Sequence, residues 1–190
     1  MIINLQAIMR NRLKNWLGIS LAIVMLIGPG VAAAATFLVG EENVGTRAVV
    51  IDDLYAAGNI VTVEHNVEGD LMAAGNTVDI KAEVNGDIVA AANTVIVSGR
   101  SGDDMMLAGN TVRVTVTSVQ DVFAAGSIVN VEGKEILGSI FAAGGQVNIE
   151  GAVAGDVRLA ADRAVIKSGT TIEGNLFTYG DNEPTIENNV

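Results

Sequence analysis

Cysteine is absent from this chain of 190 residues, and histidine occurs once, as His65. The lack of cysteine excludes disulfide bonds and thiolate metal sites, and a single histidine cannot by itself build a histidine-based metal centre. Aromatic residues make up only 4% of the chain, whereas glycine, alanine and valine are abundant. Small and β-branched side chains favour the narrow interior of a regular β structure over a large globular core.

Basic residues are also scarce, since 11 Lys and Arg stand against 22 Asp and Glu. Three of the basic residues, Arg10, Arg12 and Lys14, precede residue 36, and no acidic residue does. Residues 36–190 therefore hold the remaining 8 basic residues and all 22 acidic ones, a net charge of −14. Because phosphate backbones are bound by clustered Lys and Arg, this charge argues against a nucleic-acid partner.

The first 35 residues have the order of a targeting segment. An apolar stretch, Leu17–Ile27, follows the three basic residues and ends at Gly28-Pro29-Gly30, before the small residues that precede Thr36. A basic region, an apolar stretch and a small-residue site are typical of a signal peptide, so we expect residues 1–35 to be removed after Ala35.

An uncleaved membrane anchor is the alternative interpretation of this segment. The uncharged run of residues 16–39 is long enough to span a bilayer, and the basic residues before it would keep that end in the cytoplasm. Either interpretation predicts that residues 36–190 lie outside the cytoplasm, secreted or anchored at the cell envelope.

A repeat of about 17 residues begins after this segment. Its anchoring positions recur at intervals of 17 from residue 53 to residue 121, and then at intervals of 18, 17 and 19. The anchors are Asp53, Asp70, Asp87, Asp104, Asp121, Ser139, Asp156 and Asn175. A short fixed period indicates that each unit stacks only on its neighbours, so we predict an elongated array for residues 36–190, with its last coil incomplete.

Each repeat carries apolar residues at the first, third, eighth and tenth places after its anchor. Residues two apart lie on the same side of a strand, so these places describe two short strands with inward pairs. A further apolar residue follows near the end of each repeat, and glycines that permit tight corners lie between the strands. The pattern predicts an all-β, right-handed parallel β-helix of roughly eight coils. A left-handed β-helix, with an apolar residue at every sixth position, does not fit these intervals.

The sequence DLYAAGNIVTVEHNVEGDLMAAGNTVDIKAEVNGD, which opens at Asp53, resembles the bactofilin-like, polymer-forming cytoskeletal family. The resemblance extends roughly from Leu38 to the C-terminus. It implies a right-handed β-helix that polymerises end to end, without nucleotide, into scaffold filaments. Cytoplasmic members lack a signal sequence, so residues 1–35 make this chain similar to secreted or membrane-linked relatives.

Two recurring polar residues invite a chemical role but are predicted to be structural. The aspartates would stack at one corner of the β-helix, where a row of carboxylates is able to attract Ca²⁺ or to serve as the acid pair of a glycosidase. We expect them instead to bond nearby backbone N–H groups. An asparagine ladder, whose side chains satisfy one another, is expected at a second corner. The two sets are Asp53, Asp70, Asp87, Asp104 and Asp121, and Asn59, Asn76, Asn93 and Asn110.

No phosphate loop, nucleophile elbow or metal-spacing motif occurs in the sequence, and the regular repeat has no room for cleft-forming loops. We therefore expect no catalytic residue, no cofactor and no bound metal. His65 is expected to be a solvated surface residue. The coils are expected to loosen near Gly138 and Gly174, where the interval lengthens.

The two ends of the rod are the predicted working surfaces, because only the end coils expose unpaired backbone and apolar interior. The acidic sides are expected to discourage lateral contact. We expect self-association as a cell-envelope scaffold, with a surface module for cell-wall glycan as the alternative and an enzyme acting on acidic polysaccharide as a third class. The predicted self-association residues are Phe37, Leu38, Val39, Leu176, Phe177, Ile186 and Val190.

Overall fold

The structure is a computed structural model, which describes residues 35–180 and 182–188. All regular structure in these residues is β-strand. The strands are β1 (Thr36–Val39), β2 (Asn43–Gly45), β3 (Leu54–Val63), β4 (Leu71–Ile80), β5 (Glu83–Val84), β6 (Ile88–Val97), β7 (Arg100–Ser101), β8 (Met105–Val116), β9 (Val122–Ile136), β10 (Ile140–Val153), β11 (Val157–Ile166), β12 (Thr171–Ile172), β13 (Leu176–Tyr179) and β14 (Thr185–Ile186).

The strands form a parallel β-solenoid, in which each coil pairs with the next one along the axis. The main sheet has the order β1-β3-β4-β6-β8-β9-β10-β11-β13, and a residue typically pairs with the one 17 places later, as Leu54 does with Leu71. The prediction of an all-β parallel solenoid with this period is confirmed. The described residues form nine coils rather than roughly eight, because β1 and β2 form a coil of their own that pairs with β3.

The predicted targeting segment, residues 1–35, lies outside the described residues except for Ala35. The predicted signal peptide or anchor helix within residues 1–34 is therefore not part of this description. Thr36–Val39, the last residues of the uncharged run 16–39, are strand β1, whose backbone pairs with β3. Within residues 35–180 and 182–188, no helix has the length and apolarity that crossing a membrane requires.

The interior is built from columns of branched apolar side chains, one from each coil. The predicted inward places are buried from Leu54 to Ile166 along the stack. The column near the end of each repeat is also buried, and Ser101, which is 2% exposed, occupies the place that Val84 and Val119 hold in neighbouring coils. Its hydroxyl donates to the Gly86 carbonyl at 2.9 Å, which satisfies the one polar group in that column.

The corner after the first strand of each coil is occupied by small residues because successive coils approach closely there. A Cβ at Gly75 would lie 2.5 Å from the carbonyl oxygen of Gly58 in the preceding coil. The resulting bend lets one continuous strand, such as β4, contribute inward residues to two faces of the solenoid.

The longer repeats are accommodated at a different corner from the one predicted. The pairing of β9 with β10 shifts between Gly133 and Ile136, where the coil of 18 residues holds its extra residue. The coil of 19 residues widens at Lys167–Thr170, where Gly169 has a φ of +83°. The expectation of loosening near Gly138 and Gly174 is therefore wrong, because both insertions follow the second inward pair. The second is well packed, since Thr170 is fully buried and its hydroxyl donates to the Ile149 carbonyl at 3.3 Å.

Candidate functional site

The recurring aspartates form one continuous row of hydrogen bonds along a corner of the solenoid. The carboxylate of Asp53 accepts the backbone N–H of Asp70 at 2.9 Å, and Asp70 accepts that of Asp87 at 2.9 Å. Asp87 and Asp104 accept the next anchors, Asp104 and Asp121, at 3.0 Å each. The accepted N–H groups belong to the next coil rather than to the aspartate's own corner, so this corner ladder ties each coil to its successor.

The corner ladder continues through coils whose anchors differ. Asp121 accepts the N–H of Ser139, and the hydroxyl of Ser139 accepts that of Asp156 at 3.1 Å. Asp156 accepts the backbone N–H of Asn175 at 2.8 Å and is bridged by Arg158 at 2.7 Å. The hydrogen bonds from Asn175 hold the pKa of the Asp156 carboxyl below its usual range, and the Arg158 guanidinium adds to this effect.

One place on the corner ladder gathers enough carboxylates to resemble a cation site. Asp103 stands beside Asp87 and Asp104, with one oxygen of each carboxylate within 4.8 Å of the others. Desolvation by neighbouring protein atoms is the main cause that raises the pKa of Asp103, and the negative charges of Asp87 and Asp104 raise it further. The geometry admits a hard cation such as Ca²⁺, but the same aspartates already serve as acceptors within the ladder.

The prediction of an asparagine ladder at the second corner is wrong. Asn59, Asn76, Asn93 and Asn110 occupy equivalent corners and are exposed. In the described part of the chain, no side-chain hydrogen bond links any two of them, because the strand pairing is interrupted at these residues. The amide pair that does form across coils is Asn148 to Asn130, at 2.7 Å. It lies on the second face, which consists of the outward side chains that follow the glycine corner in each coil.

His65 is less exposed than expected, because the first coil covers it. Its Nδ1 lies 3.1 Å from the carbonyl oxygen of Thr46, and its backbone N–H donates to the Thr46 hydroxyl at 3.0 Å. Thr46 is itself buried. This histidine therefore fixes the first coil to the second rather than standing free in solvent.

The predicted self-association residues lie in the two end coils, apart from Val190, which is outside the described residues. Leu38 and Leu176 occupy inward places, pack against the core and remain half-buried. Ile186 continues the inward column of Ile166, yet it is 55% exposed whereas Ile166 is 0% exposed. Phe37, Val39 and Phe177 belong to the same end coils, but they point outward from the side of the solenoid.

Those three outward residues are part of a much longer surface, which we call the apolar face. It consists of the outward side chains from the part of each coil that precedes the glycine corner, which is the first half of strands such as β3, β4 and β6. These side chains form two columns along the axis. The second-place column, here called the ridge, is Phe37, Tyr55, Met72, Val89, Met106, Phe123, Phe141, Arg158 and Phe177. The fourth-place column is Val39, Ala57, Ala74, Ala91, Ala108, Ala125, Ala143, Ala160 and Tyr179.

The ridge is ordered by stacking between adjacent coils. The rings of Phe123 and Phe141 are parallel, with centroids 4.8 Å apart, and those of Phe37 and Tyr55 stack at 5.0 Å. The guanidinium of Arg158 lies 5.1 Å from the centre of Phe141 and 5.0 Å from that of Phe177. The one charged residue of the apolar face thus lies between two rings, where cation–π attraction favours it.

Beside the ridge, the alanines leave a shallow groove of about 620 Å³ along the coils of β6 to β13. Its ridge wall remains in solvent, since Met106 is 44% exposed and Phe123 is 38% exposed. The floor carries no polar side chain between Ala91 and Ala160. Contiguous exposed apolar surface of this kind marks an interaction site on a soluble protein.

The second face of the solenoid is polar and carries charges of both signs. On the second face, Lys81 bridges Glu64 at 3.1 Å and Asp79 at 3.3 Å, and Lys167 bridges Glu150 at 3.0 Å. The expectation of acidic sides is wrong for the apolar face, whose two outward columns hold no acidic residue. The sequence held a signal for it: in the segments DLYAAG and DLMAAG every residue after the aspartate is apolar or glycine, as expected for strands covered on both faces.

Comparison of the chain with protein-family models, with curated proteins and with solved structures finds no match. The fold and the geometry of these surfaces therefore carry the functional argument.

Proposed function

We propose that this chain is a non-catalytic structural protein that assembles end to end, through its terminal coils, into a scaffold of the cell envelope. The likeness of its repeats to the bactofilin-like family supports the proposal, as does the order of residues 1–35, which favours export or anchoring. The proposal includes a right-handed solenoid, the hand preferred when parallel strands are joined by crossovers in one sheet.

The observation that carries the proposal is the state of the last described coil. Ile186 extends the column of Ile166 and yet leaves more than half of its side chain in solvent. Within residues 35–180 and 182–188, β13 and β14 pair with β11 on one side, and their other edges have no strand partner. A second copy that adds its own coil at this edge would complete the hydrogen bonds and bury the isoleucine, which is strand addition.

The first coil offers a corresponding surface. β1 pairs with β3 on one side, and Leu38 points inward while remaining half-buried. Among the described residues, the two ends thus share an apolar centre bordered by strands that pair on one side. Interior coils offer no such surface, because each of them is paired on both sides.

Placing a charge at one end coil tests this assembly. Ile186→Asp, made in the purified full-length chain, is expected to shorten the particles seen by negative-stain electron microscopy and to lower their sedimentation coefficient. The reason is that a carboxylate at the joint would be desolvated without a partner. Ile128→Asp is the matched control, because Ile128 is an exposed isoleucine on the second face of an interior coil.

Loss of length in Ile186→Asp, with Ile128→Asp unchanged, supports the proposal. A wild-type chain that stays a single solenoid at every concentration would overturn it. Equal shortening by both substitutions would also count against it, since the effect would then reflect added charge rather than the end coil.

A further inference from the structure

We propose that the apolar face binds the apolar face of a second copy of this chain, so that two solenoids lie side by side with their axes parallel. This contact is lateral and independent of the end-to-end joint, since it uses the outward side chains of all nine coils rather than the backbone of the end coils.

The size of the apolar face fits a partner of the same length. Nine strands spaced at about 4.8 Å give a length of about 40 Å, and five residues of strand give a width of about 17 Å. The product, on the order of 650 Å², approaches the ~800 Å² that each partner buries in a stable interface. A partner of equal length covers such a surface completely, and another solenoid provides it.

Charge also selects this face for contact between copies. Residues 36–190 carry a net charge of −14, and acidic side chains such as Glu64, Asp79 and Glu150 stand on another face. Two copies that met there would have to bury these carboxylates together with the lysines that bridge them, which costs desolvation energy. The apolar face has no acidic outward residue in any coil, and its single charge, on Arg158, is already neutralised by Asp156.

The two columns determine the orientation of the pair. Large ridge side chains such as Met106 project beside small groove residues such as Ala108, two residues away on the same strand. With parallel axes, a two-fold axis along the solenoid places the ridge of each copy over the groove of the other. With antiparallel axes, ridge meets ridge and the two grooves face each other unfilled. Close packing therefore favours the parallel pair.

The end coils are consistent with the parallel orientation. Equal coils then face one another, so Phe177 of one copy lies opposite Tyr179 of the second copy. Both side chains are exposed in the single chain. Aromatic pairs across such a contact add a favourable interaction beyond the area that they bury.

Site-specific crosslinking distinguishes the two orientations, because the native chain has no cysteine. Met106 and Ala108 lie in β8, the fifth of the nine coils, so the middle coil faces itself in either orientation. Full-length chains carrying Met106→Cys or Ala108→Cys, with distinguishable tags, are produced together and treated with a short bismaleimide. Facing sheets lie about 10 Å apart, which is beyond the reach of a direct disulfide.

We expect crosslinks between Met106→Cys and Ala108→Cys chains to exceed, several-fold, those between two chains of the same variant. Dominant crosslinks between like variants would overturn the parallel orientation, since an antiparallel pair places each of these residues opposite itself. No intermolecular crosslink with any combination would overturn the pairing.

A charge in the groove provides a second measurement. Ala108→Asp should reduce the particle mass per unit length by about twofold in scanning transmission electron microscopy, because an unpaired carboxylate would be buried. Ala154→Asp is the control, because Ala154 is an exposed alanine near the end of its repeat, away from the apolar face. Circular dichroism verifies that both variants fold. Unchanged mass per length in Ala108→Asp would overturn the proposal. So would flotation of the wild type, but not of Ala108→Asp, with phosphatidylglycerol vesicles, which would assign the face to lipid.

The end-to-end contact and the lateral contact can each be disrupted without the other. Ile186→Asp should shorten particles without reducing the crosslinks at Met106 and Ala108. Ala108→Asp should thin particles without shortening them.

Discussion

At the residue scale, each corner aspartate replaces a backbone carbonyl that the bend of the chain has removed. The carbonyl of Asp70 accepts the N–H of Leu54 in the preceding coil at 2.8 Å, so pairing through that group is conventional. The N–H of Asp70 has no carbonyl opposite and donates to the Asp53 side chain instead. Buried or half-buried N–H groups are rarely left unpaired. Aspartate therefore recurs because the same backbone N–H lacks a carbonyl acceptor in successive coils.

Removing one acceptor from the corner ladder should weaken the solenoid by an amount typical of a lost hydrogen bond. Asp53→Ala leaves the N–H of Asp70 unpaired at a half-buried position, and we expect a loss of about 1–2 kcal/mol in the free energy of unfolding. Asp53→Asn keeps an oxygen acceptor and should retain most of the stability. Urea unfolding followed by circular dichroism measures both, and an Ala variant as stable as the wild type would contradict the role.

At the element scale, the insertions show where a longer coil accommodates its extra residues without disturbing its pairing with the neighbouring coils. The extra residue of β9 and the two of Lys167–Thr170 lie beyond the second inward pair, so the columns before them keep their register. Gly151 lies opposite the first of these insertions and has a φ of +124°. Its backbone runs so close to the carbonyl of Gly133 that a side chain there would overlap it.

Two glycines with positive φ should respond differently to alanine. Gly151→Ala combines backbone strain with a collision against a backbone carbonyl, and we expect a loss of at least about 3 kcal/mol in unfolding free energy. Gly169→Ala faces open space and suffers strain alone, about 1–2 kcal/mol. Thermal or urea unfolding of the two variants tests the difference. Equal losses would mean that the approach of Gly151 to Gly133 does not constrain the fold.

The inward columns were predictable from the sequence, because their spacing within a strand follows directly from alternation. The partner of each aspartate was not, since a side chain that bonds residue i+17 looks the same in sequence as one that bonds its own corner. The insertions were misplaced because counting anchors locates an extra residue only to within one repeat. The apolar face was overlooked because Ala and Gly suggest corners and cores before they suggest a surface.

At the scale of the whole molecule, stability should vary along the axis. Each interior coil is paired on two sides, whereas β1 and β13 are paired on one. In a linear array of this kind the end units open most easily, while opening in the middle breaks two interfaces. The solenoid is therefore expected to fray from its ends.

Native-state hydrogen exchange measures this gradient. Under dilute conditions that keep the chain monomeric, backbone amides of β6, β8 and β9 should exchange most slowly, and those of β1, β13 and β14 fastest. Protection of the end strands should rise with concentration, as end coils find partners. Uniform protection along the axis at low concentration would contradict the expectation.

The corner ladder also bears on how such a chain can change in length. From Asp70 to Asp156, each anchor donates its N–H to the preceding anchor and offers an acceptor to the next one, and Ser139 shows that the acceptor need not be a carboxylate. An in-frame duplication of 17 codons would thus bring its own donor, its own acceptor and its own share of the columns. Gene duplication can therefore lengthen this rod by one coil at a time, because each added coil pairs with the coils on both sides of it.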